Sequence, residues 1–289
     1  MDKRYFFLLG VHRSGTNWMS NLLNLHPDIN CHGEYHFERL YNGVSEFTAN
    51  PHGIGAKSPV REMAEAWFCN FVREAMQTQV ERKPSAVWLG DRTPRRIEPL
   101  LLPDTPHIYV YRDGRDVTVS RVHQLLGIGG PPNEPYKTDV QPLVQAFRED
   151  PQLFKRTPER LCEHPGWIRL LARQWKNHVR QDLETIRKME AGEVSGRVLV
   201  TRYETVHADP ETERAKMYRF LELDPAAAAP LSAETKTLPG LKEERPTELY
   251  RKGATGDWAN YATETFRTIL KEEMGELLIE LGYADDMNW

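Results

Sequence analysis

Apolar positions along the chain fall into short continuous runs and longer stripes at three- and four-residue spacing, with one kind of segment following the other. That alternation predicts parallel strands joined through helices. Four runs have the length and the β-branched or aromatic content of buried strands, near residues 5–10, 86–90, 107–111 and 197–201. Helical stripes follow: Trp18, Met19, Leu22, Leu23 and Leu25, stopped by Pro27; then Val60, Met63, Ala64, Trp67, Phe68, Phe71, Val72, Ala75 and Met76, expected to face the core. Helices are also expected over Asp113–Leu126, Trp167–Lys188 and Glu211–Leu223, and at the C-terminus, where Phe266, Ile269, Leu270, Met274, Leu277, Leu278 and Leu281 share a face. The expected fold is one α/β domain over residues 1–289, with a mainly parallel central sheet and helices on both faces. Residues 127–165 break the pattern with GIGGPP and several further prolines, and read as an irregular insertion, a lid or an acceptor-binding segment.

Chemistry gathers where predicted strands end. The first strand meets a glycine-framed turn, Gly10 to Gly15, and Thr16 then opens a helix. Such a turn aims backbone N–H groups at an anion, and Arg13 and Thr16 add side-chain donors. The spacing is P-loop-like, GxxxxGK[ST], but Thr16 and Asn17 stand where the lysine and the magnesium-holding hydroxyl belong. An ordinary kinase or ATPase is therefore disfavoured. Arg112 leaves the third predicted strand, with Ser120 about two turns into the next helix, and Arg251, Lys252 and Gly253 open RKGATGDW, a second cationic, glycine-rich element. The polar loop from His26 to Phe37 carries Glu34 and His36, and Arg92 follows the second predicted strand.

The first loop resembles the phosphosulfate-binding loop of sulfotransferases, [KR]SGTTW. It stands here as Arg13, Ser14, Gly15, Thr16, Asn17 and Trp18, departing at Asn17. The resemblance implies binding of the 5′ side of 3′-phosphoadenosine-5′-phosphosulfate (PAPS). RDGRDVTVS is similar to the family's 3′-phosphate motif, which implies that Arg112 and Ser120 bind that phosphate, and RKGATGDW, nearly identical to an element of cytosolic sulfotransferases, adds Arg251, Lys252 and Gly253. Tyr203, at the fourth strand's end, matches a tyrosine near the adenine, and Trp18 offers a ring worth roughly 1–3 kcal/mol of base stacking. Arg92 takes the place of a lysine that contacts the transferring group, and no histidine stands there as it does in the cytosolic branch. The HPD-containing loop resembles that of tyrosylprotein and heparan sulfotransferases, whose base falls on Glu34. Implied overall is in-line, metal-free transfer of a sulfuryl group from PAPS to a hydroxyl or amine of a small molecule or carbohydrate. Arg13 and Arg92 would neutralise charge in the transfer, and Glu34 or His36 would serve as base.

Charge narrows the partners. With 38 basic and 42 acidic residues there is no global attraction to nucleic acid or to an anionic membrane. Three scattered cysteines make neither a disulfide framework nor a metal cluster, and no apolar run approaches the roughly twenty residues of a membrane span, so a cytoplasmic protein without a metal is expected. The pattern carries no oligomeric signal. Two rival readings remain, a phosphotransferase with a degenerate P-loop and a nucleotide-binding protein without catalysis. In an extended loop, residues 34 and 36 project to the same side, so either or both can act.

Overall fold

The computed structural model describes residues 2–94, 102, 104–134, 136–231 and 253–289; Arg251 and Lys252 lie outside the described residues. In chain order the main elements are β1 (Arg4–Gly10), α1 (Thr16–Leu23), β2 (Ile29–Gly33), α2 (Glu38–Ala49), α3 (Val60–Gln77), β3 (Trp88–Asp91), β4 (His107–Tyr111) and α4 (Gly114–Gly127). They continue with α5 (Tyr136–Asp139), α6 (Gln141–Glu149), α7 (Leu153–Arg156), α8 (Pro165–Glu190), β5 (Val198–Arg202), α9 (Tyr203–Ala208), α10 (Pro210–Phe220) and α11 (Glu264–Glu280). Two compact units result. The first comprises Met1–Gly10, Thr16–Val110 and Asp182–Pro230, and the second Val11–Gly15, Tyr111–Gln181 and Leu231–Trp289, each in its described residues.

The first unit is built on a five-stranded parallel sheet in the order β2-β3-β1-β4-β5, the α/β architecture expected. From β1 the chain goes first to one side of the sheet and later to the other, so the loop after β1 leaves from a topological switch point, where open α/β sheets hold ligands. β1 is buried from Phe6 to Gly10, as a central parallel strand with both faces covered must be. Gly10 is demanded by that packing, since a Cβ there would come within 2.3 Å of the Val110 carbonyl oxygen.

Three segments depart from the expected pattern. β2 lies inside what reads as a polar loop, and the buried amide side chain of Gln79 explains it. Gln79 Oε1 accepts the amides of His32 and Gly33 at 3.0 Å each, and the Asn30 side chain donates to the Gln79 carbonyl at 2.7 Å. Polar residues thus form an edge strand because a distant glutamine satisfies them.

The second departure is α3. Its Phe68, Val72 and Met76 are buried, but the neighbouring stripe is not core-facing: Met63, Trp67 and Phe71 are 67%, 55% and 41% exposed. α3 packs on α2, which buries only Glu38. The exposed rings of Trp67 and Phe71 stack on one another, and Phe71 lies edge-on to the buried Phe37.

The third is the stretch 127–165, which is not irregular. It carries α5, α6 and α7, and α6 buries Leu143, Val144 and Phe147. Phe147 stacks on Phe154 at 5.6 Å and both edge against His123, so the segment supplies core to the second unit.

His107, at the start of β4, is fully buried beside the Phe7 ring. Burial pushes its pKa down to about 4, the Thr105 backbone pulling weakly the other way. With the folded value below the unfolded one, the neutral ring is favoured on folding, so this stability is complete above pH 6.5 and is lost as pH falls toward 4. At about 1.36 kcal/mol per unit the loss approaches roughly 3 kcal/mol. Urea midpoints measured from pH 7 to pH 4.5 should fall more steeply for the natural chain than for His107→Leu; parallel curves would rule this out.

Candidate active site

Each unit contributes its own cluster. In the first, the register of β2 on β3 aligns Gly33 with Asp91, which sets the residues that follow side by side. The Arg92 amide donates to the Gly33 carbonyl at 2.9 Å, and the Arg92 guanidinium donates to Glu34 Oε2 at 3.0 Å. Glu34 Oε1 lies 3.6 Å from His36 Nε2, with both side chains a little over a third exposed. The two base candidates therefore meet, through a turn in which His36 has φ +55° and not through an extended strand. Arg92, expected on the transferring group, has one nitrogen on the carboxylate, which leaves Oε1 as the oxygen facing the histidine.

Elsewhere in this unit Trp18 and Tyr203 come together, ring centroids 5.5 Å apart and edge-on. His207, which no motif flagged, closes the group at 6.0 Å from each. α9 begins at Tyr203 immediately after β5, so strand end and helix start together place that ring.

In the second unit Arg13 and Gly15 have φ +74° and +95°, the left-handed turns that swing successive N–H groups to one side. Arg13 Nε donates to Ser120 Oγ at 2.9 Å, and Arg112 Nη1 to the Arg13 carbonyl at 3.3 Å. Arg112 Nη2 reaches the Ala254 carbonyl at 2.7 Å and lies 3.6 Å from Asp116. Asp116, missed from sequence, accepts the amides of Gly256 at 2.8 Å and Trp258 at 2.9 Å. It thereby ties the described end of RKGATGDW, with Gly253 at φ +65°, to the helix bearing Ser120. The other arginine of the motif, Arg115, is structural: it forks onto Asp113 and lies over the Trp258 and Trp289 rings at 4.1 and 4.7 Å.

The turn over Val11–Gly15 has the donors of an anion site. Ser14 is fully buried with its hydroxyl unsatisfied by the described residues, in the turn whose glycine is left-handed. Thr16 and Asn17 open α1, whose first-turn backbone N–H groups have no intrahelical acceptor. A cleft of about 330 Å³ at the opposite strand ends has its cations, Arg4 and Arg197, both on Glu222 and does not compete for this role. Among the described residues no three His, Cys, Asp or Glu gather to hold a metal, and no helix is long and apolar enough to cross a membrane.

Residues 3–282 match the sulfotransferase domain family. The chain belongs to that family and is a PAPS-dependent sulfotransferase. Among solved structures it is similar to mouse sulfotransferase SULT7A1 complexed with PAP, at 19% identity and TM-score 0.49, over 98% of this chain and 90% of that one. It is also similar to the sulfotransferase domain of the Synechococcus PCC 7002 olefin synthase, at 14% identity and TM-score 0.48, over 94% of each chain. A third is retinol dehydratase in complex with androsterone and PAP, at 17% identity and TM-score 0.46, over 96% of this chain and 81% of that one. No curated protein matches the chain.

Proposed function

We propose that the chain transfers the sulfuryl group of PAPS to a hydroxyl or amine of a small molecule or carbohydrate, in line and without a metal. The observation that carries this reading is the joining of Arg13, Ser120 and Arg112 through the Arg13 side chain and carbonyl. The acceptor oxygen or nitrogen attacks sulfur, its proton passes to Glu34, and the bond from sulfur to the bridging phosphate oxygen breaks to release 3′-phosphoadenosine 5′-phosphate (PAP). Arg13, Ser14, Gly15, Thr16 and Asn17 hold the 5′ end and offset the charge that develops there, by position and electrostatics. Arg112 and Ser120 hold the 3′-phosphate, with Gly253 and, by motif, Arg251 and Lys252. Trp18 and Tyr203 take the adenine. Arg92 orients Glu34 through the bond to Oε2. The proposed compartment is the cytoplasm, supported by three cysteines that form no disulfide.

Calorimetry is expected to give PAP a strong preference over AMP, because only PAP carries the phosphate that Arg112 and Ser120 address. Equal affinity for the two would remove the second phosphate site, and loss of sulfuryl transfer in EDTA would overturn the metal-free mechanism.

A further inference from the structure

Glu34 and His36 stand on a segment between β2 and α2 that has no ladder of its own, and His36 adopts the left-handed φ that a residue with a side chain rarely holds without support. The end of β3 supplies that support at three backbone groups. The Arg92 amide donates to Gly33, Asp91 Oδ1 accepts the Tyr35 amide at 3.3 Å, and Thr93 Oγ1 accepts the His36 amide at 3.2 Å. The Thr93 hydroxyl in turn donates to the Asp91 carboxylate, 2.9 and 3.0 Å from its two oxygens. Asp91 and Thr93 are 2% and 3% exposed.

This is a costly arrangement for stability alone. Among the described residues Asp91 has no ion-pair partner, because the adjacent Arg92 side chain turns to Glu34. Burial raises its pKa to about 7, the Thr93 hydroxyl and the Tyr35 amide pulling it down. A buried carboxylate without a cation is retained where its contacts do something that an apolar residue cannot. Here two of its contacts, the Tyr35 amide and the Thr93 hydroxyl, lead to the backbone bearing the two base candidates.

We propose that Asp91 and Thr93 are positioning residues for sulfuryl transfer, fixing the backbone of Tyr35 and His36 so that the Glu34 and His36 side chains meet the acceptor. The inference rests on the base being one of those two residues. Thr93 is the sharper probe, since Thr93→Val keeps the shape and removes both bonds, while Thr93→Ser keeps the hydroxyl.

Two readouts test it. In amide hydrogen exchange, Thr93→Val should speed exchange at Tyr35 and His36, and Thr93→Ser should not; unchanged exchange in Thr93→Val overturns the proposal. In turnover with isotopically labelled PAPS and a panel of alcohols, phenols, amines and sugars, Thr93→Val should lower kcat by about 10- to 100-fold with the KM for PAPS little changed. Thr93→Ser should restore most of that loss, and Asp91→Asn, which still accepts the Tyr35 amide, should fall between them. Equal kcat in the two threonine variants, or a loss confined to the KM for PAPS, overturns it. Should Thr93→Val fail to fold, Asp91→Asn carries the same comparison of kcat with KM. A panel with no acceptor turned over defeats the functional reading by itself and leaves the exchange experiment to judge the positioning.

Discussion

Glu34→Gln is expected to lower kcat by about 10²- to 10⁴-fold, the usual contribution of a positioned base, while PAP affinity stays nearly unchanged. The amide keeps the shape of the side chain and an oxygen for the Arg92 bond, which is 3.0 Å long in the structure, and removes the negative charge together with the capacity to take a proton. Nothing in the Arg13, Arg112 and Ser120 cluster depends on that proton, so binding and turnover should separate. With Glu34 as the base, His36→Ala should be milder, the histidine standing 3.6 Å from Oε1. Single-turnover rates with labelled PAPS and isothermal titration with PAP measure the two quantities independently. Substantial turnover in Glu34→Gln would make His36 the first candidate for the base.

Arg112→Ala is expected to weaken PAP by about 1.5–3 kcal/mol, the range of a charge-assisted hydrogen bond, which is roughly a 10- to 100-fold rise in Kd. AMP, lacking the 3′-phosphate, should lose far less. The comparison matters because Arg112 also bonds the carbonyls of Arg13 and Ala254, and collapse of those contacts would weaken both nucleotides alike. Ser120→Ala should repeat the selective loss at smaller size, since it removes one neutral partner and the acceptor of Arg13 Nε. An equal loss of PAP and AMP affinity in Arg112→Ala would make that arginine a strut of the loop and not a phosphate ligand.

The strand runs and the order of chemical elements were legible in the sequence because they are local. β1 and β4 are buried on both faces and read as apolar and aromatic runs, and the run over residues 107–111 coincides with β4. The glycine turn was legible too, since the left-handed backbone at Gly15 is a demand on one residue. Position along the chain also brought Glu34 and His36 forward as a pair.

What the tertiary structure decided was every contact closed by a residue far away in the chain. Gln79 makes β2 a strand, and Asp91, through the hydroxyl of Thr93, holds the backbone of the base candidates; neither pairing leaves a period to read. Asp116 sits in a motif whose arginines draw the eye, yet its role is set by amides 140 residues away. The stripe of Met63, Trp67 and Phe71 failed in the opposite sense. Its spacing defines a helix face correctly, but whether a face is buried depends on what folds against it, and α2 covers little of this one. Periodicity reports which side chains share a side of an element, while burial and hydrogen-bond closure are properties of the partner, and only the folded chain supplies the partner.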